Sequence, residues 1–195
     1  VNLSWSPDSR YLAFIQLEDN SANLWRIDIA AAKASQWGKT PINAIWGGAL
    51  QWSADSKAIF AATVPAKRGN EPVASKVPTG PVVTEARGRT APARTYQDLL
   101  KDKHDEALFS YYFTSQLVKI ALNNKTTNIG KPQLFRSVEV SPDNQFILVN
   151  RLEQPFSYAV PVFRFAYTAE VWDVTGRLAY QVVQQPVADN LPIAF

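Results

Sequence analysis

The stretch Leu3-Ser4-Trp5-Ser6-Pro7-Asp8-Ser9-Arg10-Tyr11-Leu12-Ala13-Phe14 reads as an apolar strand, a polar turn and a second apolar strand. It returns as Leu50-Gln51-Trp52-Ser53-Ala54-Asp55-Ser56-Lys57-Ala58-Ile59-Phe60-Ala61, and again as Val138-Glu139-Val140-Ser141-Pro142-Asp143-Asn144-Gln145-Phe146-Ile147-Leu148-Val149. The turn chemistry has a physical cause. Pro presets φ at about −65° at the first central position, and Asp or Asn side chains bond nearby backbone groups. Each copy predicts a β-hairpin.

A third strand follows each hairpin, at Asn23 to Ile29, Gln116 to Leu122 and Glu170 to Val174, with the partial polar–apolar alternation of a half-buried strand. A turn and a short fourth strand come next, as where Thr175-Gly176-Arg177 leads into Leu178 to Val183. Four antiparallel strands per unit, recurring every ~40–50 residues, is the pattern of a β-propeller blade. The first two turn serines, Ser6 and Ser53, lie 47 residues apart, and the next gap, to Ser141, is 88. From turn serine to third strand the distance is 18 residues in the first unit (Ser6 to Leu24), 64 in the second (Ser53 to Leu117) and 30 in the third (Ser141 to Val171). The long gap therefore holds an insertion rather than an extra blade. The expected fold is all-β, a partial propeller of about three four-stranded blades at 1–46, 47–135 and 136–195. Insertions are expected at 64–114, partly helical, and at 152–168. A β-sandwich with coincidental turns would not repeat strand, turn and strand in three aligned copies. Propellers close with about four to eight blades, so further blades are expected from a longer parent protein. The chain also opens inside a strand pattern and stops at Pro192-Ile193-Ala194-Phe195 without a polar tail, which fits an excised segment.

Composition agrees with an all-β domain rich in turns: 12% aromatic residues, six Trp and thirteen Pro. The absence of Cys removes disulfides and cysteine-ligated zinc. No apolar run approaches the ~18 residues of a membrane span. A net charge of +3, with Lys and Arg scattered, does not mark a nucleic-acid surface. No metal cluster, phosphate loop or nucleotide fingerprint is visible, so no cofactor is expected.

The larger insertion begins loop-like, with Pro65, Pro72, Pro78, Gly80, Pro81, Gly88 and Pro92. Thr95, with Asp98 three residues on, predicts a helix start, with Leu99, Leu100, Ala107, Leu108 and Phe109 as apolar faces. The charged run Lys101 to Glu106 reads as a solvated bend between two helical turns, and His104, the single His, as an exposed loop residue. Arg87, Arg89 and Arg94 read as a soluble loop that could also meet an acidic peptide. The smaller insertion, Gln154-Pro155-Phe156-Ser157-Tyr158-Ala159-Val160-Pro161-Val162-Phe163-Arg164-Phe165, is a stiff aromatic loop of the kind that contacts ligands or packs between blades.

The run Gly88-Arg89-Thr90-Ala91-Pro92-Ala93-Arg94-Thr95-Tyr96-Gln97-Asp98-Leu99-Leu100 resembles the propeller of glutamyl endopeptidases, within the prolyl oligopeptidase family of serine peptidases. Asp105-Glu106-Ala107-Leu108-Phe109, Pro155-Phe156-Ser157-Tyr158, Val160-Pro161, Arg164-Phe165, Glu170-Val171-Trp172-Asp173 and Leu191-Pro192-Ile193-Ala194-Phe195 extend the resemblance. It implies a propeller that caps an α/β-hydrolase domain carrying a Ser-His-Asp triad. This chain has one His and no Gly-x-Ser-x-Gly elbow, so its own segment is expected to be non-catalytic. The partners implied are a peptide substrate, the remaining blades and the hydrolase domain. The competing reading is a TolB-like propeller that binds protein partners. Arg164, Phe156 and Tyr158 are the expected substrate-binding residues; alternatively, Arg164 pairs with Glu170 or another acid to hold its loop.

Overall fold

The computed structural model describes residues 3–45, 50–74, 96 and 98–189. They form three four-stranded antiparallel sheets, each built from strands consecutive in the chain. The first holds β1 (Leu3–Trp5), β2 (Tyr11–Glu18), β3 (Ser21–Asp28) and β4 (Lys33–Gln36). The second holds β5 (Leu50–Trp52), β6 (Ala58–Thr63), β7 (Ser115–Ala121) and β8 (Thr126–Gln133). The third holds β9 (Phe135–Val140), β10 (Phe146–Leu152), β11 (Tyr167–Asp173) and β12 (Leu178–Gln185).

The repeated turn folds the same way three times. In the first hairpin the Ser6 hydroxyl donates to Asp8 Oδ1 at 2.7 Å and accepts from the Tyr11 N–H at 3.0 Å. Asp8 Oδ1 also accepts from the Arg10 N–H at 3.1 Å. The second and third hairpins repeat these bonds with Ser53, Asp55 and Ala58, and with Ser141, Asp143 and Phe146. Ser9, Ser56 and Asn144 each take a left-handed φ near 60° to finish the turn. A left-handed residue after a tight turn is what lets a hairpin of this length close without splaying its strands.

The turns also join sheet to sheet. Asp8 N–H donates to Ser56 Oγ, and Ala54 N–H donates to Asn144 Oδ1, both at 3.0 Å. Deeper in, Trp52 Nε1 donates to the Ser4 carbonyl, and the Gln51 amide both donates to Val140 O and accepts from Val140 N. These bonds set β1, β5 and β9 side by side, so the first strand of each sheet is the inner one.

Two apolar cores fill the seams between sheets. Ala13, Ile15, Leu24 and Trp37 meet Trp52, Ile59, Val118 and Ile120 in the first. Phe60, Leu117 and Ile129 meet Phe135, Val140, Ile147, Val149 and Trp172 in the second. Successive strand residues point to opposite faces, so Ile59 enters one core and Phe60 the other. All six residues of β6 are buried for that reason. At the outer end of the second seam, Gly130 N–H donates to the Thr175 carbonyl at 3.1 Å. A Cβ on Gly176 (φ +88°) would sit 2.1 Å from Gly130 N, so only glycine admits this approach. The outward faces of the first and third sheets keep Leu3, Trp5, Phe146, Leu148 and Tyr180 exposed.

Candidate functional site

Residues 64–114 run from β6 to β7, and residues 153–166 from β10 to β11, where the strand spacing predicts the two insertions. The larger one contains a helix, α1 (Lys103–Phe113). Its start corrects the sequence expectation. Thr95 lies outside the described residues, and Asp98 has a left-handed φ of 59°, which no helix accommodates. The cap is Asp102, whose Oδ1 accepts from the N–H groups of His104 and Asp105 at 2.9 Å. Asp105 reaches back to accept from the Lys101 N–H, reciprocating the cap. The charged run expected to be a bend is therefore mostly the first helical turn, and His104 is half-buried within it rather than exposed in a loop. Arg87, Arg89 and Arg94 lie outside the described residues.

The opposite end of α1 is held from the linker between the first two sheets. Asn43, 6% exposed, donates through Nδ2 to the carbonyls of Tyr112 and Thr114. These groups at the helix C-terminus lack partners within the helix itself. Nothing in the sequence around Asn43 signals this role.

The smaller insertion packs against α1 through aromatic rings. Phe156 and Phe165 stack at 5.4 Å between centroids, and Phe109 of α1 meets both edge-to-face, at 5.0 and 5.9 Å. Leu152 and Val160 complete the buried cluster. Phe156 is only 6% exposed, so its ring supports the loop from within. Polar contacts hold the loop's edge to the helix. The Tyr158 hydroxyl donates to Glu106 Oε2 at 2.6 Å, and Gln154 Nε2 donates to Ser110 Oγ at 3.2 Å. Lys103 pairs with Glu106 at 2.7 Å. That ammonium, and then the Tyr158 hydroxyl, hold the Glu106 carboxyl below its usual range. The Glu106 carboxylate in turn raises the Tyr158 phenol, which stays a neutral donor.

Arg164 ends a 3₁₀ turn at Val162–Arg164 and is half-buried. Its Nη1 donates to the Ala188 carbonyl at 3.3 Å, while Ala188 N–H donates to the Arg164 carbonyl. The alternative pairing with Glu170 is not formed. Glu170 instead holds Arg151 bidentately and accepts from Trp172 Nε1. The register of β10 and β11 explains this: Arg151 faces Thr168, which sets Glu170 on its diagonal. Tyr158 and Phe163 present exposed ring surface, Phe163 at 58%. The loop thus gathers two exposed aromatic rings and a guanidinium on a packed base, an arrangement suited to holding a ligand. Among the described residues no group of three or more His, Cys, Asp or Glu converges to hold a metal, and no helix is long and apolar enough to cross a membrane.

No family model matches the sequence. Three sheets joined inner strand to inner strand, with both insertions between second and third strands, define a partial β-propeller. Solved structures agree in fold. An acylaminoacyl peptidase of Pyrococcus horikoshii superposes with a TM-score of 0.54 at 14% identity, over 94% of this chain and 25% of that one. TolB from Acinetobacter baumannii gives 0.52 at 11%, over 94% and 32%. In sequence the chain resembles the glutamyl endopeptidases: it is 34% identical to a probable chloroplastic glutamyl endopeptidase of Oryza sativa subsp. japonica and 34% identical to that of Arabidopsis thaliana. Each match covers 98% of this chain and 21% of the relative, so the chain spans about a fifth of their length.

Proposed function

We propose that this chain is the non-catalytic propeller segment of a serine peptidase of the glutamyl endopeptidase type. Its platform of α1 and the aromatic loop gates and positions peptide substrates for an α/β-hydrolase domain elsewhere in the parent protein. The supporting observation is the 34% identity sustained over 98% of the chain, which takes in the insertions as well as the blades. Further blades of the parent cover the exposed apolar faces of the first and third sheets. Peptide is the partner in this reading, and nucleic acid has no part.

Within the platform, Tyr158 and Arg164 contact the peptide, and Phe156 keeps their loop in shape. The bond to the Ala188 carbonyl orients the Arg164 guanidinium. A guanidinium fork matches a carboxylate, so Arg164 favours an acidic side chain. The test uses the intact protein. A serine-directed covalent probe should label it, and Arg164→Ala should lower kcat/KM for Glu peptides about tenfold to hundredfold. Gln peptides should suffer far less, with the melting temperature nearly unchanged. Equal loss on both peptides makes Arg164 structural, and failure of the probe to label removes the peptidase reading.

A further inference from the structure

The face of α1 next to the aromatic loop lines a separate cavity of about 670 Å³. Its walls come from the first residues of the larger insertion, from α1 and from β8, with Pro65, Ala107 and Pro132 as apolar surface. Two cations, Lys67 and Arg68, line it as well. Arg68 is firmly placed. Its Nε donates to the Tyr111 carbonyl at 2.9 Å, and its Cζ lies 4.0 Å from the Tyr111 ring centroid and 5.0 Å from that of Tyr112.

Among the described residues this guanidinium has no acidic partner. The ion pairs among the described residues are Lys103–Glu106, Arg151–Glu153 and Arg151–Glu170. Glu71, the nearest acid along the chain, acts on Tyr112 instead, raising its phenol. Arg68 Nη2 is buried without an acceptor. An arginine is charged at every physiological pH, and a partly buried charge left unpaired is costly. Stacking on the two tyrosines meets only part of that cost. The cavity is within the size range of small-ligand sites.

We propose that this cavity is a carboxylate-binding site, in which Arg68 receives the acidic side chain or the C-terminal carboxylate of a ligand. Lys67 adds to the positive field, and the Pro65, Ala107 and Pro132 surface accepts the aliphatic part of the ligand. Because the tyrosine rings already fix the guanidinium plane, little side-chain freedom is lost on binding. The site is distinct from the Tyr158–Arg164 loop and does not depend on the peptidase reading, since its test measures binding alone.

The experiment follows the Arg68 Nε–Hε resonance in the full chain during titration with four probes. N-acetylglutamate N-methylamide carries a side-chain carboxylate, N-acetylalanine a terminal one, and N-acetylglutamine N-methylamide is the neutral isostere. Inorganic phosphate reports unspecific anion attraction. At least one carboxylate probe should shift the resonance saturably, the neutral isostere should not, and the responding probe identifies the source of the carboxylate. Arg68→Gln should weaken the binding, followed by the neighbouring amides, at least about tenfold. Arg68→Lys, which keeps the charge but loses the fork, should fall between. No saturable shift from either carboxylate probe overturns the proposal, as do a Gln-probe shift equal to that of the responding carboxylate, unchanged affinity in Arg68→Gln or a phosphate response matching the carboxylates. If Arg68→Gln disturbs α1, the comparison of the responding carboxylate with the Gln probe in the unaltered chain and the Arg68→Lys affinity decide.

Discussion

The seams between sheets and the platform of the insertions hold together in different ways. At the seams, successive units do similar work: the first and second hairpin turns each donate a backbone N–H to the equivalent residue of the next turn, Ser56 and Asn144, and each pair of sheets closes over a dense apolar core. The platform has one small aromatic cluster, and its other ties are single contacts between unlike partners, such as Tyr158 to Glu106 and Gln154 to Ser110. No residue of α1 is fully buried, whereas every residue of β6 is. Buried apolar contact sets local stability, so the platform should open at lower cost than the seams. A region that admits and positions a ligand belongs at the low-stability end of a fold.

The largest effect should come from the seam. Gly176→Ala places a Cβ against the Gly130 backbone, which cannot yield as a side chain can, and should cost about 4 kcal/mol or more in chemical denaturation. Gly69→Ala is the matched control. Gly69 has a similar positive φ of 78° with nothing within 4 Å, so only the backbone strain of about 1 kcal/mol remains. Similar losses for the two would mean that the Gly130–Gly176 approach does not close the seam.

Phe156→Ala comes next, at about 3 kcal/mol, because it empties the centre of the aromatic cluster. The loss should be local. Hydrogen exchange should show α1 amides losing protection while β6 and β7 keep theirs. If β6 and β7 lose protection in step with α1, the platform and the seams are one cooperative unit.

The smallest effect concerns acid. The Asp8, Asp55 and Asp143 carboxyls all lie below the usual 3.8, first because the serine two residues earlier donates its hydroxyl, then through a backbone N–H two residues on. A carboxyl lowered by folding contributes stability that is complete above its unfolded value and fades as pH falls through the lower folded one. Melting temperature should therefore drop below about pH 4, and Asp55→Asn should reduce that drop. Glu106→Gln should instead flatten the acid response of α1 protection alone, since Glu106 serves the platform. A global acid shift from Glu106→Gln would erase the distinction between the regions.

Each feature that was legible in the sequence rests on short-range chemistry. The Ser-x-Asp turn bonds residues two to five positions apart, so its three copies announce the hairpins and the strands they join. The start of α1 is not legible locally, because Asp102 with Asp105 forms the cap while Asp98 takes a left-handed φ. Phe156 is legible only as part of an aromatic loop, and packing against Phe109 and Phe165 is what turns its ring inward.

By itself, then, the sequence determined three hairpin-led sheets, their order, and the places where the chain leaves them. The tertiary structure decided what those excursions build. Tyr158 finds Glu106 across 52 residues, and Gln154 finds Ser110 across 44. Such contacts follow from how the second and third sheets stack, which brings α1 beside the aromatic loop. A turn carries its bonding partners within itself, whereas a platform takes them from elements that only the stacked sheets make neighbours.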